Sequence, residues 1–250
     1  MDSKLSLFIW AQLPPDFYLS QLEGWTDAES RIARSPSQFD HRDHMEMIFN
    51  GLTFSLFHFD AEDMAQTAAQ YATNPYEQNL SRSSLSAIGI MPADHIASGK
   101  HSETINNYLL QLARYVGLEI DAKFILWQPS QQTMAFSQFL GVTNHQGQND
   151  PISIPLQMAL IEQSDGTIHT NGLRYFCEQE IRFKPSFGFA PEALRKRAVH
   201  IAQKIAASGK ISERKKTDGL FEGELVMLTP DNKSQWVDAA IVADDPRQLH

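Results

Sequence analysis

Asn50 and Gly51 constrain this chain more than any other pair of residues. They stand between two apolar runs, so the segment from His44 to His58 reads as strand, turn and strand. Asn and Gly both tolerate positive φ, which selects a two-residue hairpin whose twist matches its strands. An antiparallel sheet is therefore expected. Elsewhere the apolar periodicity switches repeatedly between two and 3.6, the mark of strands alternating with helices. Hairpins mixed with strand–helix steps predict an α+β fold, a largely antiparallel sheet with packed helices.

Asp60 is a candidate N-cap for a helix in AEDMAQTAAQYA that stops before Pro75. The stretch SLSAIGIMP is a short buried strand or a helix end, and its residues do not decide between them. Ser102 opens a helix whose stripe is Ile105, Leu109, Leu112, Ala113 and Val116, with Gly117 as the stop. In EIDAKFILW, Ile120, Ala122, Phe124 and Leu126 share one side and Trp127 takes the other. Ser130 to Leu140 reads as a short helix ending at Gly141. The polar stretch NHQGQNDP is the best internal boundary, so residues 1–250 form one compact domain or two intimately packed lobes, 1–148 and 149–250. Ile152 to Glu162 is β-rich, with Pro155 pointing to an edge or a bulge.

Leu173 to Lys184 reads as one strand. Leu173, Tyr175, Cys177, Ile181 and Phe183 face one way; Arg174, Glu178, Glu180, Arg182 and Lys184 face the other, with Phe176 among them. Pro191 suits a first helical turn, Leu194, Ala198, Ile201 and Ile205 make the buried stripe, and Gly209 ends that helix. GELVMLT and QWVDAAIV, joined through Pro230-Asp231-Asn232, predict a C-terminal hairpin.

Composition narrows the classes. With 250 residues, 42% of them hydrophobic and 20% charged, the chain is no disordered or fibrous sequence. A single Cys excludes a disulfide framework and any Cys-based zinc or iron–sulfur site, and fits a reducing compartment. The opening MDSKLSLFIWAQLPPDF lacks a signal-peptide pattern, and no apolar run approaches the ~20 residues of a membrane span. A cytoplasmic protein without membrane contact is expected, and no cofactor is implied.

The net charge is −9, from 21 basic and 30 acidic residues. It is unevenly placed. Residues 191–216 hold eight basic residues (Arg195, Lys196, Arg197, Lys204, Lys210, Arg214, Lys215, Lys216) and two acidic ones, a local +6. The remainder has 13 basic and 28 acidic residues, or −15. An acidic body repels nucleic acid and favours basic partners. The basic stretch reads as a solvated helix face and loop, or as a local phosphate contact.

Three constellations bear on chemistry. His41, His44 and His58 lie near Asp40, Asp43, Asp60 and Asp63, and the hairpin through Asn50-Gly51 is expected to bring His44 towards His58. Imidazole with carboxylate is a competent transition-metal set; hydrogen-bonded structural histidines are the alternative. Arg174, Glu178, Glu180 and Arg182 form either a solvent-side ladder of ion pairs or a binding surface. Trp127, beside Gln128-Pro129-Ser130, is expected to be partly exposed and joins them as a binding candidate. Cys177, on the apolar side, is expected to be buried and inert. Ser98-Gly99-Lys100-His101 fails as a phosphate loop because Asp94 stands where its first Gly belongs.

The stretch Thr170-Asn171-Gly172-Leu173-Arg174-Tyr175-Phe176-Cys177-Glu178-Gln179-Glu180-Ile181 resembles a strand pattern, T-x-G-L-x-x-F-x-x-x-E-I/L. That pattern belongs to a bacterial family catalogued as a domain of unknown function (number 4261). Ala122 to Ser130, the helix at 190–207 followed by Thr217-Asp218-Gly219, and the His-rich entry His41 to Ile48 are similar to further pieces of it. The chain departs at Cys177, where many members carry Gly. The resemblance implies a bacterial cytoplasmic α+β protein and assigns no catalytic residues. Proteins of this build are suspected of binding other proteins, including as immunity proteins against secreted toxins.

The leading expectation is a non-enzymatic protein-binding protein, in its sharpest form an acidic immunity protein that occludes a cognate basic toxin. The alternatives are a metal-assisted hydrolase built on His41, His44 and His58, and a phosphate or nucleic-acid binder using residues 191–216.

Overall fold

The computed structural model describes residues 7–25, 32–34, 44–62, 85–99, 101–144, 156–185, 189–233 and 235–242. The chain is α+β and divides into two compact units, Met1–Gln148 and Asn149–His250.

In the first unit, seven strands are ordered β2-β3-β4-β5-β1-β6-β7. They are β1 (Leu7–Ala11), β2 (Ile32–Arg34), β3 (His44–Phe49), β4 (Leu52–Phe59), β5 (Ser86–Pro92), β6 (Phe124–Trp127) and β7 (Gln132–Ala135). All their pairings are antiparallel. Asn50 and Gly51 form the β3–β4 turn at φ 50° and 81°, as the dipeptide demands. Asp60 acts as a cap at the end of β4, where its Oδ1 accepts the Glu62 N–H at 2.9 Å. The rest of the helix expected after it lies outside the described residues.

Helix α1 (Glu103–Glu119) packs on β1 and β5 and buries the stripe its periodicity marks, Ile105, Leu109, Leu112, Ala113 and Val116. It does not stop at Gly117. A Cβ there would collide with the Phe136 ring, so this glycine admits the close approach of α2 (Phe136–Asn144). The single helix expected over Ser130 to Leu140 is instead β7 followed by α2, which runs through Gly141.

The first sheet carries apolar side chains on both faces. Phe8, Trp10, Leu85, Ala87 and Leu126 cluster with Phe59 and Phe124 on one. Phe49, whose ring meets Tyr108 of α1 at 5.9 Å, lies on the other. Two buried faces make a continuous apolar run, which is why SLSAIGIMP carries no strand period; its residues Ser86–Pro92 are β5, buried along its whole length. Trp127 is corrected by the same fact. It is 0% exposed, because β6 is held between β1 and β7 and neither of its faces is open.

In the second unit, six strands are ordered β11-β12-β13-β10-β9-β8. They are β8 (Ala159–Glu162), β9 (Ile168–Asn171), β10 (Glu180–Phe183), β11 (Lys215–Asp218), β12 (Leu225–Pro230) and β13 (Trp236–Val242). Among the described residues of this unit, only the β10–β13 pairing is parallel. β12 and β13 are the expected C-terminal hairpin. Of the β-rich Ile152 to Glu162, Ala159–Glu162 forms β8, and residues 152–155, with Pro155, lie outside the described residues. Helix α4 (Pro191–Ser208) packs on β9 and β10 through Leu194, Ala198, Ile201 and Ile205, and ends at Gly209.

Leu173 to Lys184 is not one strand. Gly172 at φ 103° turns the chain out of β9, Arg174–Cys177 make a helical turn (α3), and Glu178 at φ 64° ends it before β10 begins. The apparent alternation from Leu173 to Cys177 comes from a helical turn, so it defines no common face with Arg182.

Candidate functional site

The helical turn is organised by one buried carboxylate. Glu180 Oε2 accepts the Thr170 hydroxyl at 2.7 Å and the Leu173 N–H at 3.3 Å. Its Oε1 accepts the N–H groups of Gly172 at 3.0 Å and Arg174 at 3.1 Å. The Thr170 hydroxyl oxygen in turn accepts the Ile181 N–H at 2.7 Å. Burial pushes the Glu180 carboxyl above its usual range, against these donors, which favour the ion. Thr170, Gly172, Leu173 and Glu180 are thus one hydrogen-bonded unit that fixes a turn. Glu180 belongs to no solvent-side ladder. The neighbouring Gln179 is also buried and clasps the Ile211 backbone, accepting its N–H at 2.7 Å and donating to its carbonyl at 3.0 Å.

The other members of the expected polar face separate. Arg174 is exposed on the helical turn. Glu178 is exposed and pairs with Lys210 at 3.1 Å. Cys177 is buried on the helical turn, and burial pushes its thiol up to about 11.

Arg182 occupies a different setting. Cross-strand register lines it up with His169 of β9 and Asp238 of β13, so the three share one sheet face. Residues of β10 at odd positions, Ile181 and Phe183, point to the opposite face with Val237 and Ala239, all fully buried. Arg182 Nε lies 2.8 Å from Asp238 Oδ1, and Lys184 Nζ lies 3.1 Å from its Oδ2. The Arg182 guanidinium sits 5.4 Å from the centre of the Trp236 ring, which the His169 ring approaches at 5.3 Å. Arg182 is 34% exposed and Asp238 29%, half-buried yet reachable. Ile161, in register with His169, extends the row as an exposed apolar residue. Burial first, then the Arg182 charge, holds His169 below the usual imidazole range, against the pull of Asp165 and Asp238. At neutral pH it is an uncharged ring beside a fixed cation. The arrangement offers an aromatic platform, a bidentate donor and hydrogen-bonding imidazole on a rigid sheet. Trp236 and Asp238 were legible as alternate residues of QWVDAAIV, but a Trp in an apolar run reads as core.

The hairpin does not bring His44 and His58 together. His44 is in register with Phe57 and stacks on it at 4.6 Å, which puts the adjacent His58 on the opposite face of β4. His58 instead meets the Phe17 ring edge at 5.5 Å. His41 lies outside the described residues. Among the described residues, no group of three or more His, Cys, Asp or Glu is arranged to hold a metal.

Four of the eight basic side chains of residues 191–216 face carboxylates: Arg195 with Glu162, Arg197 with Glu224, Lys204 with Asp218 and Lys210 with Glu178. Lys215 and Lys216 are exposed on β11, the strand at the end of the sheet order, where lysines discourage edge-to-edge pairing. Half of the segment's basic side chains are therefore paired within the fold.

No protein-family model matches the chain, and neither a curated protein nor a solved structure matches it.

Proposed function

We propose that this chain is a non-enzymatic protein-binding protein, of the immunity type, that neutralises a basic toxin by direct contact. The observation that carries the reading is the half-exposed row of His169, Arg182 and Asp238 with Trp236 beside it. Trp and Arg are the side chains that most often dominate binding energy, and here both are held in place before a partner arrives. Charge supports the partner's sign. Residues 1–148 carry 8 basic and 16 acidic side chains, a net −8, while residues 149–250 carry 13 and 14, a net −1. An acidic chain steers a basic partner into encounter, and the aromatic–guanidinium row slows its departure. The likeness of Thr170 to Ile181 to the family of unknown function agrees with a binding role and supplies no residues to it.

The test is capture from the host's own lysate at low salt, with wild type, Trp236→Ala and Arg182→Ala run side by side. The reading expects a stoichiometric basic partner whose toxic activity the wild-type chain suppresses. Its on-rate should fall steeply with added salt, and its off-rate should rise in both variants. A partner bound equally by all three, or at a rate indifferent to salt, would refute it.

A further inference from the structure

His169 is the member of the half-exposed row whose side-chain type changes charge closest to neutral pH. Each element around its ring brings a fixed neighbour. From β10, Arg182 stands opposite it in register. From β13, the Trp236 ring lies 5.3 Å away at 53° to the imidazole plane, and Asp238 lies beyond Arg182 on the same face. From β8, Ile161 is in register with it, while Glu162 is turned to the other face and pairs with Arg195. From the β8–β9 turn comes Asp165, whose Oδ1 accepts the Thr167 N–H at 2.8 Å and whose charge reaches the ring.

The charges around the imidazole nearly balance. Arg182 and Lys184 share Asp238, at 2.8 Å and 3.1 Å. Asp165 stands beside the ring, and Asp231, whose Oδ1 accepts the Trp236 N–H at 3.3 Å, feels the Arg182 charge. Two cations and three carboxylates leave one net negative charge around a neutral imidazole, and one proton on the ring cancels it.

The ring cannot step aside when it charges. Register holds His169 between Ile161 and Arg182, and strand pairing fixes both. Half-buried, it is within reach of water that delivers the proton. Burial and the Arg182 charge oppose protonation, while Asp165 and Asp238 favour it, so the ring is neutral at neutral pH and takes its charge on acidification.

Resting on the reading of a basic partner above, we propose that His169 is a proton switch for the binding row: its imidazolium sets a second cation beside Arg182 and Trp236 and releases a basic partner as the pH falls.

The first probe needs no partner. Caesium and iodide ions quench Trp236 fluorescence by collision, and the ratio of their quenching slopes reports the local charge independently of lifetime. The Trp236 component is the one missing from Trp236→Phe; Trp10 and Trp127, at 8% and 0% exposure, are shielded from both ions. From about pH 7.5 to about pH 5 the caesium-to-iodide ratio should fall about threefold in wild type and hold steady in His169→Gln. A ratio that holds steady in wild type, or falls equally in His169→Gln, overturns the switch. The second probe is the partner captured as above, which should bind wild type about tenfold more weakly at the acid end and His169→Gln equally at both ends. Equal affinity for wild type at both ends overturns the switch and leaves the basic-partner reading standing. Tighter binding at the acid end, or capture of no partner, overturns that reading and the release together.

Discussion

Glu180→Gln isolates the role of the buried carboxylate, because it keeps the side chain's size and removes its charge and half its acceptors. Each Glu180 oxygen serves two donors: Oε1 those of Gly172 and Arg174, Oε2 those of Thr170 and Leu173. A Gln carbonyl satisfies one pair, and its amide group then points its own N–H bonds at the other. Two contacts are lost within a buried turn. An unsatisfied buried donor costs about 1–3 kcal/mol, and Arg174 N–H is only partly buried, so the sum is about 2–3 kcal/mol. Amide exchange read on peptides spanning 168–182 reports it directly. Local opening made easier by that amount exchanges about 30- to 150-fold faster. The sign of the pH dependence comes from the raised carboxyl. The unfolded chain releases the proton first and the folded chain holds it longer, so stability from this group is complete at acid pH and declines as pH rises through the folded value. The wild type's advantage over Glu180→Gln in thermal midpoint should therefore shrink as pH rises. Exchange accelerated less than about fivefold, below about 1 kcal/mol, would refute the claim that Thr170, Gly172, Leu173 and Glu180 form one unit.

The geometry sets three further outcomes. Arg197→Met alone should destabilise the second unit by about 3–5 kcal/mol in urea unfolding, by stranding Glu224, whereas Arg197→Met with Glu224→Leu should recover most of that loss. Cys177, its thiol raised from 9.0 to about 11 by burial, should resist an aromatic disulfide reagent at neutral pH and react only on unfolding; reaction in the native state would contradict its burial. Gly51→Ala, which forces a Cβ into φ 81°, should lower stability by about 1–2 kcal/mol in the same urea assay, and an unchanged midpoint would count against the turn geometry.

What the residues reveal before folding depends on whether their signal is local. The Asn50-Gly51 turn is legible because φ tolerance belongs to the dipeptide itself, and the stripes of α1 and α4 because each helix buries one side. Trp127 is misread because strand position decides its exposure: β6 is interior to the sheet only through its pairing with β1, over a hundred residues earlier in the chain. The segment from Leu173 to Lys184 is misread for a different reason. Its apolar residues alternate as a strand would, but a carboxylate at Glu180 reaches back to three consecutive N–H groups and holds the chain in a helical turn. A period-two pattern records only which residues avoid water; it cannot report that Glu180 replaces the sheet's hydrogen bonds with its own. The same limit applies to the candidate surface. Arg182 was visible in the sequence as one charge among several. What sets it apart is that Asp238 and Trp236, more than fifty residues later, lie on the strand that pairs with its own, where register turns separate side chains into a surface.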